Sequence, residues 1–344
     1  MMKKILLVGL TVAILALVGC KDDAADTQPA EVIDLNPTTE EVAVVEETTP
    51  VTENATTESE QTTQPAVTTE TTTTTTTTTT SPQITVIDNT GNSAAVNTYK
   101  DYSTEIEAEV NSAVSISGNI QTEIENVAKV AEKYQPLADA AQTQDEINMS
   151  SKWFYTIWDK ELNSLWSRIN SLADDQTKAR LLADQQNWLA MIEEVKIDNI
   201  GTKEAGGSMY PYQENTFMKE ITYNRCLVLA NELAKLKGET FTMPAHSKYG
   251  TFVDNQGTSS VYGYIVTKKS IENQDVAEIT IDGMGFLEGI FADYGNGDLS
   301  FISYDQTVKG NIHIDGWNGA TFMITECTSG MFTAGDTFEF NFVY

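Results

Sequence analysis

Between Asn97 and Gly238 glycine is sparse and apolar residues recur three and four positions apart. Trp158, Leu162, Leu165, Trp166, Ile169 and Leu172 form one such stripe, and Leu181, Leu182, Gln185, Trp188, Leu189 and Ile192 form another. That spacing gathers side chains on one face of a helix. It predicts helices over roughly 98–134, 142–173, 176–198 and 214–236, with Gly238 as a stop signal. The first is the most acidic and is expected to pack loosely as a separate helix. Trp153, Trp158, Trp166 and Trp188 lie on the apolar faces and are expected in a core.

After Lys237 the period shortens to two. Glu278-Ile279-Thr280-Ile281-Asp282 and Asn311-Ile312-His313-Ile314-Asp315 alternate as half-buried strands do. Asn296-Gly297 and Asn318-Gly319 fall between such runs, and this dipeptide suits the positive φ values of a type I′ hairpin turn. The chain ends Thr337-Phe338-Glu339-Phe340-Asn341-Phe342-Val343-Tyr344, which places three phenylalanines and Tyr344 on one strand face. About eight short strands in this region predict an antiparallel barrel or sandwich. The expected fold class is α+β multidomain: an all-α helical bundle (97–238), then an antiparallel all-β barrel or sandwich (239–344), both on a disordered Thr-rich stalk.

The first hundred residues are of another kind. Lys3 and Lys4 precede an unbroken apolar run from Ile5 to Val18, which closes on Leu17-Val18-Gly19-Cys20. A basic start, a run short for a spanning helix and small residues at the end predict a secretory signal over 1–19. The closing tetrapeptide resembles the bacterial lipobox. That resemblance implies acylation of Cys20 and a protein held on the extracytoplasmic face of the cell membrane by lipid alone. Residues 20–96 are expected to form a disordered acidic linker. They contain ten consecutive threonines at 71–80, and from Lys21 onward one lysine stands against fourteen acids. Such a composition buries too little apolar surface to offset its ordering entropy.

The whole chain has 21 Lys plus Arg against 50 Asp plus Glu, a net charge of -29. A field of that sign repels polyanions, so nucleic acid is not an expected partner. Candidate chemistry is thin. The two histidines, His246 and His313, belong to no metal-ligand or triad spacing, and no Walker loop or GxSxG occurs. His313 is expected to point away from the face of Ile312 and Ile314. Asp293, Asn296 and Asp298 surround a glycine-rich turn and read as turn formers, because they do not follow the ligand order of a calcium loop. Glu193-Glu194 and Asp174-Asp175 read as solvated helix surface. No catalytic residue, metal or cofactor is expected. Cys226 and Cys327 are left open as a bridge or as two thiols.

Four patches in the helical region carry a resemblance. They are Thr143 to Asn148, Asp159-Lys160-Glu161-Leu162-Asn163-Ser164-Leu165-Trp166, Leu182-Ala183-Asp184-Gln185-Gln186-Asn187-Trp188, and Gly206-Gly207-Ser208-Met209-Tyr210-Pro211. Thr222 and Arg225 follow in a T-x-x-R pattern. In this order they resemble the N-terminal domain family named after the LprI lysozyme inhibitor. The cysteines usual in that family are absent; Ser150 or Ser151, Glu194 to Ile197, and Phe217 or Met218 occupy those regions. Ile192-Glu193 stands where an R-D pair often follows the tryptophan.

The expected function is that of a non-catalytic surface lipoprotein binding an extracellular protein or a cell-wall component, with lysozyme inhibition as the activity the resemblance implies. Asp159, Leu162, Asn163, Trp166, Gln185, Trp188, Gly206, Gly207, Thr222 and Arg225 are its motif positions, read as scaffold. Of these, Asn163 and Gln185 are expected to bond between helices. Leu165 and Leu182 are expected in the core with Leu162 and Trp188. Ser208, Met209, Tyr210 and Tyr212 are read as an exposed loop and candidate partner contact. Residues 151–238 carry eleven basic and twelve acidic side chains, whereas 239–344 carry four and fourteen. Attraction for a basic partner must therefore come from outside the matched helices. The alternative is an envelope ligand-binding or adhesive protein, in which the β domain carries recognition and the helices are a scaffold.

Overall fold

The computed structural model describes residues 98–270 and 272–344, together with the backbone of 84–87 and 93–96. The expected signal (1–19), Cys20 and the threonine tract lie outside the described residues. Within the stretch expected to be unstructured, β1 (Ile84–Ile87) and β2 (Ser93–Val96) pair as an antiparallel hairpin. β1 is wholly β-branched, which favours extended backbone, and the sequence between the two strands is rich in turn-forming Asn, Asp and Gly.

Two helices replace the one expected over 98–134: α1 (Ser103–Ile116) and α2 (Ile120–Asp139). Ser117 is extended, and Asn119 restarts the helix by accepting the Thr122 N–H at 2.8 Å. Neither packs loosely. Ile106 and Val110 of α1 and Ile120 and Val127 of α2 are fully buried.

α3 (Gln144–Leu172) begins with a capping box, in which Thr143 and Glu146 satisfy each other's backbone N–H. The hydroxyl of Thr98 adds a 2.7 Å bond to Glu146, and these donors hold its pKa down to about 2. α4 (Asp175–Ile200) is capped by Asp174, which is thus a helix cap and not merely solvated surface. After a single turn, α5 (Lys203–Gly206), comes α6 (Tyr210–Lys237), which ends at Gly238 in the left-handed conformation. All four tryptophans anticipated in the core are 2–5% exposed.

The second layer is a meander: β3 (Gly250–Asp254), β4 (Gly263–Lys269), β5 (Asp275–Ile281), β6 (Gly285–Asp293), β7 (Asp298–Ser303), β8 (Val308–Ile314), β9 (Ala320–Cys327), β10 (Thr337–Phe340) and β11 (Phe342–Val343). Each strand pairs antiparallel with its neighbour. The final run closes the sheet, because β10 pairs with β9 while β11, one residue later, pairs with β3. The result is a nearly closed barrel, which decides between the barrel and the sandwich. Phe252, Ile265, Ile279, Phe301, Ile312 and Phe322 fill it. At Gly289 a side chain has no room, since a Cβ would lie 2.1 Å from the Ile302 carbonyl oxygen.

Asn296-Gly297 forms the expected turn, with φ values of 55° and 84° and the Asp298 N–H on the Gly295 carbonyl at 3.0 Å. Asn318-Gly319 does not; Gly316–Asn318 is a 3-10 turn, and Gly319 extends from it at φ 120°. The terminal aromatic face is also split. Phe338 and Phe340 pack with the barrel core, whereas Phe342 and Tyr344 pack with the helical core. Asn341, unpaired between β10 and β11, is where the strand changes phase.

Candidate functional site

Two arrangements within the helical region bear on function. The first is a buried polar joint between α4, α6 and the end of the chain. Arg225 is 4% exposed; its Nε donates to Gln185 Oε1 and its Nη2 to Asp184 Oδ2 at 2.5 Å. The guanidinium also lies 6.0 Å from the Trp188 ring, which in turn stacks on Tyr344 at 6.2 Å. Burial lowers the Arg225 pKa, and the Asp184 carboxylate opposes that shift. Tyr344 donates its phenol proton to the Trp188 carbonyl, while its own carbonyl accepts from Asn224 at 2.9 Å. The side chains of Gln185, Trp188 and Thr222 keep one buried polar atom each without a protein partner.

The second arrangement is open. A groove of about 300 Å³ lies among the C-terminal end of α2 and the N-terminal parts of α3 and α6, lined by Asp139, Ile147, Phe154, Tyr212, Thr216 and Lys219 among others. Amide clasps hold its walls together. Asn148 Nδ2 donates to the Ser208 carbonyl at 3.0 Å, and Asn215 Nδ2 to the Asn148 carbonyl at 3.1 Å and to Ser151 Oγ at 3.0 Å. Ser150 or Ser151 lies where the resemblance leads one to expect cysteine, and a hydrogen bond to Ser151 ties α3 to α6 there. Met149 (38%), Met209 (43%) and Tyr212 (38%) leave large apolar side chains exposed on this part of the bundle.

Of the expected contact residues, Ser208, Met209 and Tyr212 are exposed, and Tyr210 is not. Tyr210 corrects the expectation of an exposed loop: it opens α6, is 5% exposed, and packs close to Lys196. Burial alone would lower the Lys196 pKa, but Glu193 at 2.8 Å and Glu214 at 2.7 Å outweigh it and raise it. Gly206 makes room for this packing, because a Cβ there would lie 2.9 Å from the Tyr210 ring, and Gly207 turns the chain at φ 54°.

The remaining motif residues are mostly interior. Leu162 and Trp166 are core, as is Leu165, and Asp159 is buried at 8%. Leu182 is only half-buried. Gln185 bonds between helices as expected, but Asn163 does not, since it donates to the Asp159 carbonyl of its own helix at 2.8 Å. The sequence reading misses the closure of the joint by Tyr344, because alternation places that residue on a strand face and says nothing of what the face meets.

Elsewhere, His313 is exposed and bonds Asp298 at 2.6 Å, and Asp293 accepts a turn N–H from Gly295. Cys226, buried against the Trp158 carbonyl, and Cys327 are both free thiols. Among the described residues no group of three or more His, Cys, Asp or Glu is placed to hold a metal ion.

Together these features define a helical scaffold with Arg225 buried in a polar joint and a small amphipathic groove at one end. The family described as Lysozyme inhibitor LprI matches this region, over residues 137–229. The match runs from the end of α2 into the second half of α6 and takes in almost the whole groove lining. No curated protein and no solved structure matches the chain.

Proposed function

We propose that the protein is a non-catalytic inhibitor of a lysozyme, held outside the cell membrane by lipid on Cys20 and contacting the enzyme through the α2–α3–α6 groove. The observation that carries this reading is the coincidence of the family match, 137–229, with that groove, its exposed Tyr212, and Met149 and Met209 exposed elsewhere on the matched helices. An exposed aromatic side chain on the wall of a preformed concavity is a usual anchor of protein interfaces, and exposed methionines are enriched at them. The near-neutral helices supply shape, and the acidic barrel supplies long-range attraction for a basic enzyme.

The test is titration of the full-length protein against a basic lysozyme, following glycan hydrolysis at low and physiological salt. Saturable inhibition that survives physiological salt and is weakened by Tyr212→Ala supports the reading. Inhibition that disappears with salt, when exposed charges are screened, sinks it.

A second reading gives recognition to the barrel, whose outer surface exposes Phe286, Ile290, Tyr294 and Tyr304. Deleting the barrel does not test it, because the deletion strips Tyr344 from the helical core. Replacing Phe286 and Ile290 by serine does; loss of binding with the groove intact favours this alternative.

A further inference from the structure

A second cleft, of about 430 Å³ and open to solvent, lies between α6 and the first two barrel strands. α6 contributes Phe217, Glu220, Tyr223 and Asn224 to it, and the barrel side contributes Tyr249 and Thr267. Most polar groups on its walls are already engaged. Thr267 Oγ1 accepts the Gly250 N–H at 3.0 Å, and the Tyr249 hydroxyl donates to Asp275 at 2.7 Å. Lys268 and Lys269 at the rim are held by Glu278 at 2.7 Å and Asp275 at 2.9 Å. Asn224 spends its N–H on the Tyr344 carbonyl, leaving Oδ1 as an acceptor.

Glu220 is different. It is accessible, and among the described residues its carboxylate makes no hydrogen bond or ion pair. Burial among these walls raises its pKa, and the neighbouring Lys219 partly opposes that shift. One helical turn separates it from Asn224, so two acceptors project on the same side of α6. Tyr223, whose ring packs edge-on against Trp158, lies between them in sequence.

A cleft with unspent acceptors, aromatic walls and a carboxylate that has no ion-pair partner selects a donor-only cation. A guanidinium has five N–H donors and no acceptor, and it stacks on aromatic rings. A neutral sugar leaves the Glu220 carboxylate without a counter-charge, and an anion meets both Glu220 and the acidic barrel. We propose that this cleft receives an arginine side chain of a basic partner protein, with the guanidinium on Glu220 between the tyrosines. That the partner is a lysozyme rests on the preceding reading; the chemistry of the cleft does not.

The experiment uses the full-length protein and three probes, N-acetyl-arginine amide, N-acetyl-lysine amide and a basic lysozyme. In amide NMR, the blocked arginine is expected to shift the resonances of Glu220, Tyr223, Asn224 and residues 249–251, the blocked lysine to do so more weakly, and Glu220→Gln to abolish the response. Lysozyme binding should weaken about tenfold in Glu220→Gln, further in Glu220→Lys, and not at all in Glu326→Gln, an exposed carboxylate on β9 that pairs with Lys309 of β8. Circular dichroism checks that the variants fold, as expected for a side chain with no partner to lose. A blocked arginine that leaves the cleft resonances unmoved, or moves them equally in Glu220→Gln, overturns the inference even if lysozyme is inhibited. Arginine-dependent shifts at Glu220 without lysozyme binding uphold the cleft and overturn the lysozyme reading instead.

Discussion

The phenol of Tyr344 donates to the main-chain carbonyl of Trp188 across 2.6 Å, joining the last residue of the chain to α4, 156 positions upstream. Both side chains are at most 2% exposed and their rings stack. The barrel is therefore fastened to the bundle by its closing strand. Thr251 Oγ1 to Asn199 at 3.0 Å and Ser259 Oγ to Asn187 at 2.7 Å add to the seam.

Tyr344→Ala should cost about 3–5 kcal/mol, the range for removing a buried aromatic ring. Tyr344→Phe should cost about 1 kcal/mol, because it keeps the ring and loses one hydrogen bond. Urea unfolding followed by tryptophan fluorescence reads both; equal losses would mean that the ring contributes nothing at this joint.

Arg225→Ala should destabilise by about 3–5 kcal/mol, since it leaves the Gln185 amide and the Asp184 carboxylate without their shared donor. Arg225→Lys should restore little, because one ammonium does not reproduce the two-nitrogen fork that reaches both residues. A lysine variant as stable as the parent in thermal unfolding would contradict this.

Thr222→Val should be neutral or stabilising by up to about 1 kcal/mol. The Thr222 hydroxyl is buried without a partner, so removing it relieves a desolvation cost and breaks no bond. A loss of melting temperature would show that the hydroxyl has a function the geometry does not reveal.

Stability should fall as pH rises through the weakly acidic range. Glu161 is wholly buried; burial first, and then the charge of nearby Glu123, push its pKa well above the ordinary carboxylate range. Arg168 is committed to Glu123, with Nη1 2.8 Å from Oε2. Asp198, half-buried at the seam with the barrel, is pushed up to about 6 by burial, with Glu194 adding to the shift. A group whose folded pKa is raised gives its full stabilisation below the unfolded pKa and loses it as pH passes the folded value. Glu161→Gln should flatten the decline in unfolding midpoint from about pH 4.5 upward. An unchanged slope would place the burden on other groups. Glu146, held down to about 2, acts in the opposite direction, stabilising above the ordinary carboxylate range and losing that contribution on acidification.

Tyr210 and Tyr212 should separate stability from binding. Tyr210→Ala removes a buried ring and should lower the melting temperature. Tyr212→Ala removes an exposed one and should leave it within about 0.5 kcal/mol of the parent, while weakening lysozyme inhibition. The reverse pattern would move the contact surface away from the groove.

Sequence periodicity was enough to find the helices of the matched region, because each buries a stripe that must recur at three and four. It missed the break at Ser117-Gly118-Asn119, where one asparagine side chain caps a new helix and leaves the apolar period nearly undisturbed. It misjudged Tyr210 because a glycine pair reads as a loop, whereas Gly206 serves to bring the tyrosine ring close. The candidate groove was legible only in part, since Tyr212 was singled out while the clasp of Asn148, Ser151 and Asn215 depends on residues more than sixty positions apart.

Patterning and composition by themselves determined the order of the parts: an apolar run from Ile5 to Val18, an acidic threonine-rich stretch, amphipathic helices and an alternating β region. These are local properties, written in the spacing and polarity of neighbouring residues. Only the tertiary structure decided that the sheet closes into a barrel, that Asn341 turns the last strand from the barrel core to the helical one, and that Glu220 faces a cleft shared by both. Those outcomes depend on which distant surfaces meet, and burial against a distant partner leaves no period in the sequence.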